Sequence, residues 1–309
     1  MKKIILYLCL SIVLTLASCD LSVNIAPPTN PAPLPTNAVL ASVTPVQIVA
    51  SPSSIPATVA PNPTATAPVT SFDGLEVSVG PLSIVLPPGL SKEARGGEFP
   101  RAEGQNVAPW DVTPGHTELK LEGYLLQGKA HEPRILVYPA QAYAELYNGA
   151  FESMHRLDNI ILGDQNATVT SEQLPTVPFF TAQQAFASNI QVISFQNGRG
   201  VRFLTEYAQY AVSANNHDLF YHFQGLTSDG AHYVVAIFPI SVPLLAETSD
   251  AGAPLPTGGV PYPYFANPNA DMGQYYLSVT DVLNATPPEM YTPTISQLDL
   301  LIQSMRITP

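Results

Sequence analysis

The chain has 309 residues, with 24 acidic against 12 basic side chains for a formal net charge of −12, and two cysteines. That charge excludes a surface built to attract nucleic acid or anionic lipid electrostatically. Two cysteines exclude a disulfide-held scaffold, so any folded part must be stable through its core alone.

Met1-Lys2-Lys3 is a positive start, and Ile4 to Leu16 is an apolar run of thirteen residues. That is the length of a signal-peptide core and short of the ~20 residues a spanning helix needs. Leu16-Ala17-Ser18-Cys19 follows and resembles the lipobox of bacterial lipoproteins. The resemblance implies a signal peptide over residues 1–18, cleavage between Ser18 and Cys19, and a diacylglycerol thioether on Cys19. It also implies an acyl chain such as palmitate on the freed amine. A thiolate is the nucleophile such lipidation needs, and two or three acyl chains hold a protein to a bilayer where one holds it marginally. The expected location is the cell membrane, lipid-anchored on the extracytoplasmic side, with the bilayer as partner through Cys19 and no cofactor beyond that covalent lipid. Cys9 leaves with the signal. Losing Lys2 and Lys3 lowers the basic count from 12 to 10 against 24 acids, a net charge of −14.

Residues 19–70 read as the lipidated cysteine and a tether. Positions 21–70 hold eleven prolines and no charge, glycine or aromatic side chain. Proline removes donors and fixes φ, and nothing apolar and large is there to offset ordering entropy. An extended spacer at ~3.1 Å per residue is expected, reaching on the order of 150 Å.

Residues 71–309 are the expected single domain, of α+β class. Leu75–Val79 and Leu82–Leu86 are short strands broken at Gly80-Pro81, and Glu118–Leu126 and Arg134–Tyr138 are two more. Tyr143, Tyr147, Ala150, Met154, Leu157 and Ile161 then recur at helical spacing and predict one helix over 140–162, with Gly149 its weak point. Over 190–240, apolar runs alternate with turn signals at Asn197-Gly198, Asn215-Asn216 and Ser228-Asp229-Gly230, predicting a four-stranded antiparallel meander. Several of these strands are apolar on both faces and need helices on both. Asp271–Leu283 and a C-terminal helix supply the second cover. There Thr294 and Gln297 make a capping box, and Leu298, Leu301, Ile302 and Met305 form the apolar stripe. The connections 87–116, which holds Trp110, and 247–270 are long enough to suggest function.

This element order with its closing helix is similar to the extrinsic photosystem-subunit type of α/β/α sandwich. The stretch "FQNGRGVRFLTEYAQ…NNHDLFYHFQGLTSDGAHYVVAIFP" is similar to a segment of uncharacterised bacterial lipoproteins. Neither resemblance supplies a functional motif.

No G-x-S-x-G, S-x-x-K, H-E-x-x-H or P-loop motif is present, and the six histidines offer no metal-ligand spacing. One constellation stands out. With two-residue turns, Tyr207, Gln209, His222, Gln224 and Tyr233 share a sheet face, where rings can stack on a small polar ligand and amides can orient it. Trp110 joins them as a ligand-binding candidate. The expected function is a non-enzymatic binding or assembly module whose partner is an envelope protein or a small molecule, not nucleic acid. The alternative is an envelope hydrolase with its site between the sheet and the 87–116 and 247–270 loops.

Overall fold

A computed structural model describes residues 72–164, 168–263, 267 and 269–308. The expected signal peptide, Cys19 and the expected tether lie outside the described residues. The domain is α+β with antiparallel sheets. In chain order it runs β1 (Leu75–Val79), β2 (Leu82–Leu86), β3 (Glu93–Phe99), β4 (His116–Glu122), β5 (Arg134–Pro139), α1 (Ala140–Leu146) and α2 (Asn148–Leu162). It continues through β6 (Gln183–Phe195), β7 (Gly198–Ala208), β8 (Phe220–Thr227), β9 (His232–Pro239), α3 (Met272–Ala285), α4 (Ile295–Ser304) and β10 (Arg306–Ile307).

Seven strands form one antiparallel sheet in the order β3-β4-β5-β9-β8-β7-β6. Its central strands are buried on both faces. Val234, Ala236 and Phe238 of β9 point into one core with α3 and α4, while Tyr233, Val235 and Ile237 point into a second with α1 and α2. The side-chain period of two thus feeds two separate cores from one strand. The second sheet, β1-β2-β10, lies on the α3/α4 side, where Leu82, Ile84 and Leu86 join that core.

Several elements depart from the sequence expectation. The helix over 140–162 is two helices, because Tyr147 adopts an extended conformation with φ −144° and ψ 117°. Gly149 stays helical, and a Cβ there would lie 2.7 Å from the Tyr147 ring. Residues 93–99, expected within a long connection, form the edge strand β3. The first hairpin turns one residue early: Phe195 faces Gly198, which leaves Gln196 and Asn197 in the loop. The predicted capping box is half made. Thr294 Oγ1 accepts from the Gln297 N–H at 3.1 Å, but the Gln297 side chain donates to the Pro88 carbonyl instead. The stripe behind that cap is fully buried at Leu298, Leu301, Ile302 and Met305. Each such side chain contributes about 1.5–3 kcal/mol on burial.

Candidate functional site

The register decides which predicted site residues meet. β8 and β9 pair with Phe220 facing Pro239 and His222 facing Ile237, and β7 pairs with β8 so that Phe203 faces His222. Tyr207, His222, Gln224 and Tyr233 therefore share the α1/α2 face. Gln209 does not join them: it lies beyond the end of β7 and is exposed. Trp110 is half-exposed on a single 3-10 turn at Pro109–Asp111 in the 87–116 connection. Cys19 is outside the described residues.

The four that meet are covered by the chain itself. The Tyr233 hydroxyl donates to Gln224 Oε1, and the Gln224 amide donates to the Pro175 carbonyl at 2.9 Å. The Val177 N–H donates to Gln224 Oε1 at 3.3 Å, and His222 Nε2 lies 3.0 Å from the Val177 carbonyl. A carbonyl only accepts, so the His222 proton sits on Nε2 and Nδ1 remains an acceptor. Pro175 to Phe180 thus act as a plug over the sheet. Phe180 closes it with ring centroids 4.4 Å from Tyr207, 5.7 Å from Phe220 and 5.4 Å from His131. Neither the plug nor His131 was among the expected site residues. The signal was the apolar "VPFF" at 177–180, whose proline conceals a packing segment as a loop.

Burial dominates the electrostatics of this face. It lowers the His222 pKa to about 3, against a weaker opposing effect of the Val177 carbonyl. Burial also lowers His131, to about 4, and pushes the Tyr207 and Tyr233 hydroxyls up. Three polar atoms here, Tyr207 Oη, Gln184 Nε2 and His222 Nδ1, are buried without a hydrogen-bond partner. The face is a closed, neutral aromatic core.

An open concavity lies elsewhere. A groove of about 1040 Å³ runs along β6, floored by Ala185–Ser188 and Ile190–Val192. One wall is α3, through Gly273, Tyr276, Leu277, Thr280 and Asn284, and the other is the segment Thr168–Glu172. The α3 wall follows from helical spacing, since steps of three and four return side chains to one face. Among the lining residues only Glu172 is charged. Neither the 87–116 nor the 247–270 connection contributes a lining residue.

Among the described residues, no group of three or more His, Cys, Asp or Glu side chains is arranged to hold a metal ion, and no helix is long and apolar enough to cross a membrane. No protein-family model, curated protein or solved structure matches this chain.

Proposed function

We propose that the chain is a membrane-anchored extracytoplasmic lipoprotein carrying a non-enzymatic binding module, and that the groove between β6 and α3 is where it binds. The observation that carries the binding reading is the groove: it is concave and walled on two sides, whereas the polar set on the sheet is occupied by Pro175–Phe180. The anchor rests on Leu16-Ala17-Ser18-Cys19 and on the proline-rich stretch behind it. The hydrolase reading asks for His222 beside a carboxylate. Its contacts are instead the Val177 carbonyl, the Gln224 amide and aromatic rings, and burial holds it neutral.

Two experiments test the two halves. Cells expressing the full chain are fed an alkyne fatty acid; label on the wild type, with none on Cys19→Ser and release of that variant from membranes, is expected. Label that survives Cys19→Ser overturns the anchor. A photo-crosslinking residue at Leu277, which is 60% exposed, is expected to capture an envelope component. Capture no greater than from Phe151 on α2 overturns the groove as the binding site.

A further inference from the structure

The two edges of the seven-stranded sheet are built differently. β3 carries Glu93, Arg95 and Glu98 around Gly96-Gly97. Charges of this kind keep an edge strand from pairing with a foreign chain. β6, the opposite edge, has thirteen residues with no charge and no proline. Its pairing with β7 has two irregularities, between Gln184 and Phe186 and between Ser188 and Gln191, and the second is tied into the domain. The Asn189 N–H donates to Asn284 Oδ1 at 2.6 Å, and its side-chain amide donates to the Leu283 carbonyl at 3.1 Å. Arg202 donates to the Asn189 carbonyl. This uncharged, proline-free edge is also the floor of the groove. An edge strand beneath a helix wall is the geometry by which some domains take an extended peptide, through main-chain hydrogen bonds with side chains alternating into pockets.

The recess selects among occupants. In a second copy of this chain, β6 stands at the bottom of the same cleft, so two such edges cannot meet flat. A single extended segment can enter, and the seven lining positions of β6, Ala185–Ser188 and Ile190–Val192, give it about 23 Å of floor at ~3.3 Å per residue. Charge sets its chemistry. The chain is strongly acidic, yet Glu172 is the only ionised group on the lining. An uncharged segment with one basic residue opposite Glu172 complements that surface.

We infer that the groove takes an extended partner peptide, uncharged apart from one Lys or Arg set against Glu172, which adds to β6 as an eighth strand. The inference rests on the reading of the groove as the binding site.

The test uses the full chain and a phage-displayed library of random heptapeptides. Selection is expected to enrich β-branched and hydroxyl residues with a single basic position. The winning peptide is then synthesised with N-methyl groups on one alternating set of residues or on the other. One set is expected to weaken binding at least about tenfold and the other to leave it nearly unchanged, because a strand bonds its neighbour through alternate residues. Glu172→Lys is expected to weaken the peptide several-fold, and exchanging the peptide's basic residue for Glu to restore it. Loss of binding on Leu277→Lys places the peptide in the groove. Equal tolerance of both N-methyl sets, or no enrichment at all, overturns strand addition. If the Leu277 photo-crosslink still captures an envelope component, the groove remains the binding site and only the ligand class falls. An adduct of twice the chain mass identifies a second copy and also overturns the inference.

Discussion

Arg202 in β7 meets Asp299 of α4 with Nε 3.2 Å from Oδ1, and both side chains are largely buried. Asp299 also accepts the Tyr221 hydroxyl at 2.8 Å, while Arg202 donates to Gln191 Oε1 at 2.6 Å and to the Asn189 carbonyl. The pair joins the strand next to the β6 edge of the sheet to the C-terminal helix. It also holds the Ser188–Gln191 irregularity of β6 from inside.

Removing one member of a buried pair leaves the other charged and desolvated, at a cost of about 3–5 kcal/mol. Asp299→Ala is therefore expected to lose about 3 kcal/mol or more in urea unfolding. The double variant Arg202→Met with Asp299→Leu is expected to recover part of that loss. Single and double variants of equal instability would show that the charge left behind is not the cause.

Glu206 in β7 is buried, accepts the Asn215 N–H at 2.7 Å through Oε1, and has no hydrogen-bond partner for Oε2. Burial raises its pKa well above the usual carboxylate range; the Asn215 N–H opposes this and Asp218 adds to it. The folded state therefore keeps a proton that the unfolded state releases near pH 4.5. Stability from this group is present below that pH and falls as pH rises toward the folded pKa, by about 1.4 kcal/mol per pH unit. Glu206→Gln is expected to flatten stability against pH between 5 and 8, measured as thermal midpoints. An unchanged slope would contradict a neutral Glu206.

His222 has the opposite sign. Its folded pKa of about 3 lies below the 6.5 of the free ring, so the unfolded chain takes up the proton first. Stability from this group is present above pH 6.5 and drains as pH falls toward 3. His131, lowered to about 4, acts the same way over a narrower window. His222→Gln is expected to reduce proton uptake on unfolding at pH 5 by about one, as read from denaturant midpoints across pH. Uptake equal to the wild type would place the proton elsewhere.

Gly200 and Gly225 face each other across β7 and β8, with the Phe223 ring beside both. A Cβ on Gly200 would lie 2.2 Å from the Gln224 carbonyl oxygen. Backbone cannot yield as a side chain can, so Gly200→Ala is expected to cost about 1–3 kcal/mol or more. A loss within about 0.5 kcal/mol, in the range of ordinary surface substitutions, would mean the strands separate freely here.

The fold was legible where local chemistry and burial agree. Leu75–Val79 and Leu82–Leu86 have the predicted limits, and Thr294 caps α4 ahead of a fully buried stripe. β3 was not legible, because its Gly96-Gly97 and three charges read as loop and only pairing with β4 makes them a strand. The site was half legible. Alternation placed Tyr207, His222, Gln224 and Tyr233 on one face, but could not show that Pro175–Phe180 cover it. The groove has a weak trace in the sequence, the thirteen uncharged residues of 183–195. That β6 is an edge strand depends on the order of all seven strands, which no window of sequence contains.

One pairing bears on when the domain can close. Arg306 and Ile307 lie beside Ser83 and Leu82, and the Thr308 N–H bonds the Pro81 carbonyl. A ladder begun near residue 82 thus waits for residues more than 220 positions later, so the β1-β2-β10 sheet stays incomplete until they emerge. The tail is thus the clasp of the small sheet, whose third strand is made only after every strand of the large one.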